Sequence, residues 1–153
     1  MVFIYLHIFT MFLAVALSVG SELVLHRVAA TENVAAIRTI FAAAKPLEKA
    51  IPMAYGIGFL LGIVAAIVAS FNLLAPWLLI SYVLFIVTSV LGGRVIGGWA
   101  EKVEQAAAQN QGDTPSAELK AVLHDKRATQ GIIANLVAIA LIIAMMVFKP
   151  FGV

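Results

Sequence analysis

Residues 50–93 read AIPMAYGIGFLLGIVAAIVASFNLLAPWLLISYVLFIVTSVLGG and contain no Asp, Glu, Lys or Arg. A membrane-spanning helix needs about 20 mainly apolar residues, so this uncharged stretch is long enough for two spans. Near its middle, Asn72 suits the end of one helix and Pro76 suits the first turn of the next. The stretch therefore predicts two membrane helices joined by a tight turn.

Two further uncharged stretches flank this one, at residues 1–21 and 128–148. Each is long enough for one membrane-spanning helix. The predicted fold class is therefore all-α, a four-transmembrane-helix bundle with spans at about 3–25, 52–72, 76–99 and 128–148. At this length the chain is expected to form a single integral membrane domain, residues 1–153.

The composition also favours a bilayer environment. Hydrophobic residues make up 63% of the 153 residues and charged residues 12%, with a mean hydropathy of +1.04. Soluble domains carry about 45–50% apolar and about 25% charged residues. The low charge excludes a disordered chain, and the absence of cysteine excludes a disulfide scaffold and a thiolate metal site. A net charge of +2 gives no large positive field, so the expected partner is the lipid bilayer and not a nucleic acid.

The charged residues lie almost entirely in the two connections that follow the first and third spans. Nine of the ten Lys and Arg residues lie in these connections or at the span ends beside them, and only Lys149 lies on the opposite side. Because Lys and Arg accumulate in cytoplasmic loops, we expect both termini outside and both connections in the cytoplasm of a bacterial inner membrane. The helical spacing of Val34, Ile37 and Phe41, and a helix start at residues 114–116, predict short interfacial helices in these connections.

Small residues recur at spacings of three and four along each predicted span. The second span carries Gly58 and Gly62, and the third carries Gly93 and Gly97. Helices in lipid associate through close packing, since apolar burial between them gains little, and small residues let their backbones approach. These four glycines are therefore expected at helix–helix interfaces.

One histidine lies inside a predicted span. His7 and Met11 are four residues apart, on one side of the first span near its outer end, and Met145 and Met146 lie near the outer end of the fourth. An imidazole with thioethers is able to bind haem iron or Cu(I). His7 and Met11 are therefore candidate ligands of haem b or copper, with Met145 and Met146 as further metal ligands. Alternatively, His7 hydrogen-bonds a tyrosine or water at the interface and the methionines fill gaps in the core.

Glu22 and Arg94 each lie within a predicted span, about one helical turn from the charged connection that follows it. An ion pair between them would lower the cost of placing either charge at the bilayer edge. Alternatively, both side chains extend independently to the interface.

The sequence contains no HExxH, Gly-x-Ser-x-Gly or Walker motif and no paired carboxylates in a span. No catalytic residue is therefore assigned, and a non-enzymatic protein is favoured.

The order of several short motifs resembles a group of small bacterial inner-membrane proteins. The motifs are Leu6-His7, His26-Arg27, residues 48–52, Pro76-Trp77 and residues 146–151, the last of which closes with Phe151. The group includes uncharacterised predicted integral membrane proteins together with the CopD-like copper-resistance and HemJ-like families. The resemblance implies haem b at His7 and protoporphyrinogen oxidation in the HemJ-like case, and copper uptake in the CopD-like case. The tryptophan and glycine that commonly follow the histidine are absent, since residues 9–12 read FTMF, which favours the uncharacterised branch.

Three functions are consistent with these features. The first is a small polytopic, non-enzymatic membrane protein with a haem b or copper site near the outer face at His7. The second is a structural or accessory subunit that packs in a larger membrane complex or forms a homo-oligomer, which the stripes of small residues favour. The third is a HemJ-like protoporphyrinogen oxidase, which only the resemblance implies.

Overall fold

The computed structural model describes residues 1–150 and contains, within them, only helices. The α-helices are α1 (Val2–Ala30), α2 (Val34–Ala44), α3 (Leu47–Val68), α4 (Pro76–Val90), α5 (Gly98–Gln109), α6 (Ala117–Leu123) and α7 (Lys126–Phe148), and a π-helical segment, Leu91–Gly97, joins α4 to α5. Four helical stretches are long and apolar enough to cross a membrane. The predicted all-α fold with four membrane-spanning helices is therefore confirmed. Residues 151–153 of the predicted domain, including Phe151 of the last motif, lie outside the described residues.

The turn between the second and third spans lies where the sequence predicts it. α4 begins with Pro76 in its first turn, since the fixed backbone angle of proline suits that position. α3 ends at Val68 and not near residue 72. The reason is that Ser70 takes a left-handed conformation, with φ of 57°, and Phe71 N donates to Ala66 O at 2.9 Å. This arrangement closes the helix earlier than hydropathy indicates.

The two short helices predicted in the connections are present as α2 and α6. The Asn33 side chain accepts a hydrogen bond from Ala36 N at 2.9 Å at the start of α2. At the start of α6, Ser116 Oγ accepts from Leu119 N at 3.2 Å. Each cap satisfies an N–H group that the first helical turn leaves without a partner.

The membrane helices pack as two pairs, with α1 along α3, and α4 and the π-helical segment along α7. The first pair approaches closely at two glycines. A Cβ built on Gly58 would lie 2.5 Å from Met11 Sδ, and one on Gly62 would lie 2.7 Å from His7 Cε1. The second pair approaches at Gly131, where a Cβ would lie 2.8 Å from a side-chain atom of the π-helical segment. Small residues thus set the closest contacts within each pair.

Gly93 and Gly97 have a different environment from the one that the sequence predicts. No heavy atom lies within 4 Å of a Cβ built on Gly93, and a Cβ on Gly97 meets only Gly92 O of its own segment, at 3.2 Å. The predicted interface at these residues is replaced by open space, because the two helix pairs stand apart here and enclose a cavity that both glycines border.

A core of buried apolar side chains lies at the end of the bundle that carries the two connections. Apolar side chains from α1, α2, α5, α6 and α7 form it: Leu25, Ala29, Val34, Ile37, Phe41, Trp99, Val103, Ala106, Ala107, Leu119 and Ala128. Trp99 of α5 contacts two other helices of this core. Its Nε1 donates to Val122 O of α6 at 3.0 Å, and its ring packs edge-on against Phe41 of α2, with centroids 5.8 Å apart. We call the unit formed by this core the cap.

The loop between α5 and α6 is held by one buried amide. Asn110 Nδ2 donates to Gly112 O at 2.6 Å and to Thr114 O at 3.1 Å, and Asn110 Oδ1 accepts from Ser116 N at 2.8 Å. The Arg38 guanidinium, on α2, donates to the Asn110 carbonyl. The connection is therefore a folded part of the cap, because side chains satisfy the polar groups of its backbone.

Candidate functional site

Two cavities lie between the helix pairs, one on each side of an aromatic layer. In this layer Phe59 and Phe85 stack with centroids 4.8 Å apart, and Tyr55 and Tyr82 pack edge-on against them. The smaller cavity, of about 290 Å³, lies toward the start of α1 and the end of α7, and we call it the His7 cavity. The larger, of about 630 Å³, lies toward the cap, and we call it the Glu22 cavity.

His7 packs against α3 in a fixed orientation. Its Nδ1 lies 2.8 Å from the Gly58 carbonyl oxygen, and because a carbonyl only accepts, Nδ1 carries the proton. In a neutral imidazole, Nε2 then holds the lone pair that binds metals. A Cβ built on Gly62 would lie 2.8 Å from Nδ1 and 3.4 Å from Nε2, so the ring occupies room that exists only because residue 62 is glycine. The backbone of α3 thus sets both the position and the tautomer of His7.

The structure brings three of the four predicted metal ligands to one cavity. His7 and Met11 of α1 and Met146 of α7 border the His7 cavity, and Met145 does not. Met11 also packs against Gly58, one turn of α3 away from the glycine that receives His7. One imidazole and two thioethers, from two different helices, therefore share this cavity.

Trp77 and Lys149 also border the His7 cavity, although the sequence did not assign either residue to a site. Trp77 Nε1 is buried and has no hydrogen-bond partner among residues 1–150. The Lys149 ammonium lies over the Phe71 ring, 4.2 Å from its centroid, and 5.7 Å from the Trp77 centroid. A tryptophan after a turn and a lone lysine at a span end are also typical of ordinary interface anchors. Their sequence positions alone therefore could not identify a site.

The Glu22 cavity contains a buried polar cluster. Glu22 accepts hydrogen bonds from Ser18 Oγ at 2.9 Å and from Asn135 Nδ2, at 2.9 Å to Oε1 and 3.2 Å to Oε2. Glu22 is 5% exposed and Asn135 is 2% exposed. The cluster joins α1 to α7, so the two helix pairs are connected by polar contacts as well as by the aromatic layer.

Arg94 borders the Glu22 cavity but does not pair with Glu22. The ion pairs within 4.0 Å in the described part of the chain join Lys45 to Glu104, and Lys120 and His124 to Glu32. The Glu22 carboxylate instead takes Asn135 and Ser18 as its partners. Arg94 lies in the π-helical segment and is exposed, which corresponds to the alternative in which its long side chain extends independently.

The other two histidines lie apart from both cavities. His26 Nε2 lies 3.1 Å from Thr129 Oγ1, and His124 Nδ1 donates to Lys120 O at 2.9 Å. Within residues 1–150, no group of three or more His, Cys, Asp or Glu side chains is arranged to hold a metal ion. His7 instead has two methionines as neighbours at its cavity.

Comparison with known families identifies the chain. Residues 1–150 match the family described as predicted integral membrane protein (DUF2269). The chain belongs to this family. No curated protein and no solved structure gives a match. Membership of DUF2269 confirms the predicted resemblance to an uncharacterised family of integral membrane proteins.

The outer faces of the helices agree with membership of DUF2269. Large apolar side chains point away from the bundle on all four long helical stretches; examples are Phe12 at 71%, Leu60 at 64%, Ile86 at 62% and Ile133 at 57% exposed. Apolar surface of this extent is unfavourable in water and is typical of contact with lipid. The protein is therefore a multi-pass integral membrane protein whose partner is the lipid bilayer.

Proposed function

We propose that this protein binds Cu(I) within its membrane bundle, at the His7 cavity. One observation carries the proposal: His7, Met11 and Met146 border a single cavity of about 290 Å³. Thioether sulfur and imidazole nitrogen are ligands that suit Cu(I). Because the chain has no cysteine, methionine is its soft ligand.

The surroundings of His7 support a metal-binding role. A metal-bound histidine usually donates its second ring N–H to a carbonyl or carboxylate, which fixes its orientation. The Gly58 carbonyl is such a partner for Nδ1, at 2.8 Å. When bound, Cu(I) would supply a soft cationic centre inside a mostly apolar cavity.

Copper fits this cavity better than haem b. His7 with Met146 is a known type of axial haem pair. However, a volume of about 290 Å³ lies at the lower end of the range of about 300–1,000 Å³ that small-molecule pockets occupy. A tetrapyrrole is larger than most ligands of such pockets and would have to displace the aromatic layer, whereas a single ion needs no such movement.

Cu(I) binding by the purified protein tests the proposal. Protein in detergent, loaded without oxygen in competition with bathocuproine disulfonate, is expected to retain about one Cu(I) per chain. His7→Ala and Met146→Leu should each weaken the affinity at least about tenfold, because each removes a ligand. Met145→Leu is the matched control, since this thioether does not border the cavity, and its affinity should equal that of the parent.

Thermal unfolding of each variant checks that the fold is intact. Equal Cu(I) affinities of the Met145→Leu and Met146→Leu variants, or an unchanged affinity after His7→Ala, would overturn the proposal. A Soret band that forms on addition of haem and is lost in His7→Ala would instead favour haem b and the HemJ-like function.

We also infer that both termini face the outside of a bacterial inner membrane. Nine of the ten Lys and Arg residues lie in the connections or at the helix ends beside them, and only Lys149 lies at the opposite end. This distribution supports a cytoplasmic location for the cap. His7 would then lie in the outer half of the membrane, where it could receive copper from the periplasm.

Single cysteines report this orientation, because the chain has none of its own. Leu74 is 72% exposed in the turn between α3 and α4, and Asp113 is exposed in the loop between α5 and α6. In intact bacterial cells, a membrane-impermeant maleimide is expected to label Leu74→Cys. Asp113→Cys should react only after the inner membrane is permeabilised. The reverse labelling pattern would place the termini inside.

A further inference from the structure

We propose that the Glu22 cavity binds an organic monocation with a primary ammonium group, held by Glu22 and Asn135. The ligand class follows from three features: a buried carboxylate without a counter-charge, a buried acceptor without a donor, and a large cavity with aromatic walls beside them. This cavity is distinct from the His7 cavity, so the inference does not depend on copper binding.

Glu22 is a buried carboxyl group without a cationic partner. Its oxygens accept hydrogen bonds from Ser18 Oγ and Asn135 Nδ2, and an ionised carboxylate suits this arrangement because it is purely an acceptor. Among residues 1–150, no Lys, Arg or His nitrogen lies within 4.0 Å of it. A charge buried in a membrane span without a counter-charge is unfavourable. A cationic ligand would supply the missing charge.

Asn135 provides an acceptor that still lacks a donor. The residue is 2% exposed, and its Oδ1 has no hydrogen-bond partner in the described part of the chain. Buried polar atoms are normally paired, and an unpaired acceptor destabilises the structure. The Asn135 side chain borders the cavity, and a shift of its amide would bring the covered Oδ1 within reach of a ligand there. An ammonium group carries three donors and no acceptor, which matches a carboxylate beside an amide oxygen.

The size and walls of the cavity favour an organic cation over a metal ion. Its volume of about 630 Å³ lies within the range of about 300–1,000 Å³ of small-molecule sites. Phe41, Tyr55 and Phe85 border it, and aromatic faces attract organic cations. An apolar group attached to the ammonium would occupy the space beside these rings.

Negative charge also predominates around the cavity. Four carboxylates and one guanidinium border it: Glu22, Glu48, Glu101, Glu104 and Arg94. Lys45 neutralises one of the carboxylates, since its Nζ lies 2.9 Å from Glu104 Oε1. An excess of one sign of charge around a cleft raises the local concentration of ions of the opposite sign. The cavity therefore attracts cations before any specific contact forms.

The π-helical segment forms one wall of the Glu22 cavity, and two of its glycines leave free space beside that wall. Gly92 and Gly93 border the cavity, and no heavy atom lies within 4 Å of a Cβ built on either. Turns of π-helix are frequent at functional sites. A leucine at position 93 would add a bulky side chain at this border without replacing a residue of the polar cluster, which gives a second, steric variant for the test.

Calorimetric titration of the copper-free protein at neutral pH tests the proposal with three probes: hexylammonium, benzylammonium and 2-phenylethylammonium. At least one is expected to bind, the matched alcohol should bind at least about tenfold more weakly, and Na⁺ should not compete. Glu22→Gln and Gly93→Leu should each weaken binding at least about tenfold. Glu118→Gln removes an exposed carboxylate of α6 outside the cavity and should leave the affinity unchanged.

Each of the following results would overturn the proposal: binding of none of the three amines, equal affinity for an amine and its alcohol, or an unchanged affinity after Glu22→Gln. Competition by Na⁺ would assign the cluster to an inorganic cation and would also overturn it. His7→Ala, which removes the proposed copper ligand, should bind the amine as the parent does. The two proposals can therefore fail separately.

Discussion

Replacement of Trp99 by alanine is expected to lower the free energy of unfolding by about 3–5 kcal/mol, the range for truncation of a buried aromatic side chain. Trp99 is 4% exposed, and its ring contacts Phe41 of α2 and His26 of α1. Its Nε1 donates to Val122 O, at the end of α6. Alanine would leave a void among three helices and remove this hydrogen bond, so the cap should loosen.

Denaturant unfolding in detergent, followed by circular dichroism, measures this effect. Trp99→Phe keeps an aromatic ring and removes the N–H donor, so its cost should be smaller, about 1 kcal/mol for the hydrogen bond plus a contribution from lost volume. Ile86→Ala is a control on the lipid-facing surface, where Ile86 is 62% exposed. If Trp99→Ala were no more destabilising than Ile86→Ala, the cap would not contribute to stability as the structure indicates.

Gly62→Ala is expected to reduce both stability and copper binding. The new Cβ would lie 2.7 Å from His7 Cε1 and 2.8 Å from Nδ1, so the imidazole would have to move and its hydrogen bond to Gly58 O would break. Overpacking of this kind costs about 1–3 kcal/mol. Loss of the group that orients a metal-bound histidine weakens metal affinity by about 10–100-fold.

Gly56→Ala is the matched control for this substitution, because it lies on the same helix and a Cβ there meets nothing within 4 Å. Its Cu(I) affinity should equal that of the parent, and its melting temperature should be equal or higher, since alanine favours helix by about 1 kcal/mol over glycine. In the His7→Ala background, Gly62→Ala should lose most of its destabilising effect, because the clashing ring is gone. Similar behaviour of both glycine variants would contradict the packing of His7 against Gly62.

Local signals in the sequence predicted the helices well. The uncharged stretches correspond to α1, to the pair α3 and α4, and to α7. Pro76 marks the start of α4 as expected. These features depend on hydropathy and backbone preferences of neighbouring residues, which need no knowledge of the rest of the fold.

The candidate sites were only partly predictable. The spacing of His7 and Met11 places both on one side of α1, which a helical period alone determines. Adjacent residues of a helix point about 100° apart, so the rotation of α7 decides that Met146 and not Met145 borders the cavity. Likewise, Glu22 bonds Asn135 on α7 and not Arg94. Such pairings depend on the relative rotation of distant helices, which local patterns do not contain.

The sequence by itself determined that this chain lies in a membrane, how many times it can cross, and where its charged connections fall. Only the tertiary structure decided that α1 pairs with α3 and α4 with α7, and that two cavities remain between the pairs. The reason is physical. Transfer of an apolar segment into lipid depends on its own composition, but lipid is as apolar as a neighbouring helix, so hydropathy does not select packing partners. Close fits such as His7 over Gly62, and buried hydrogen bonds such as Glu22 with Asn135, select them.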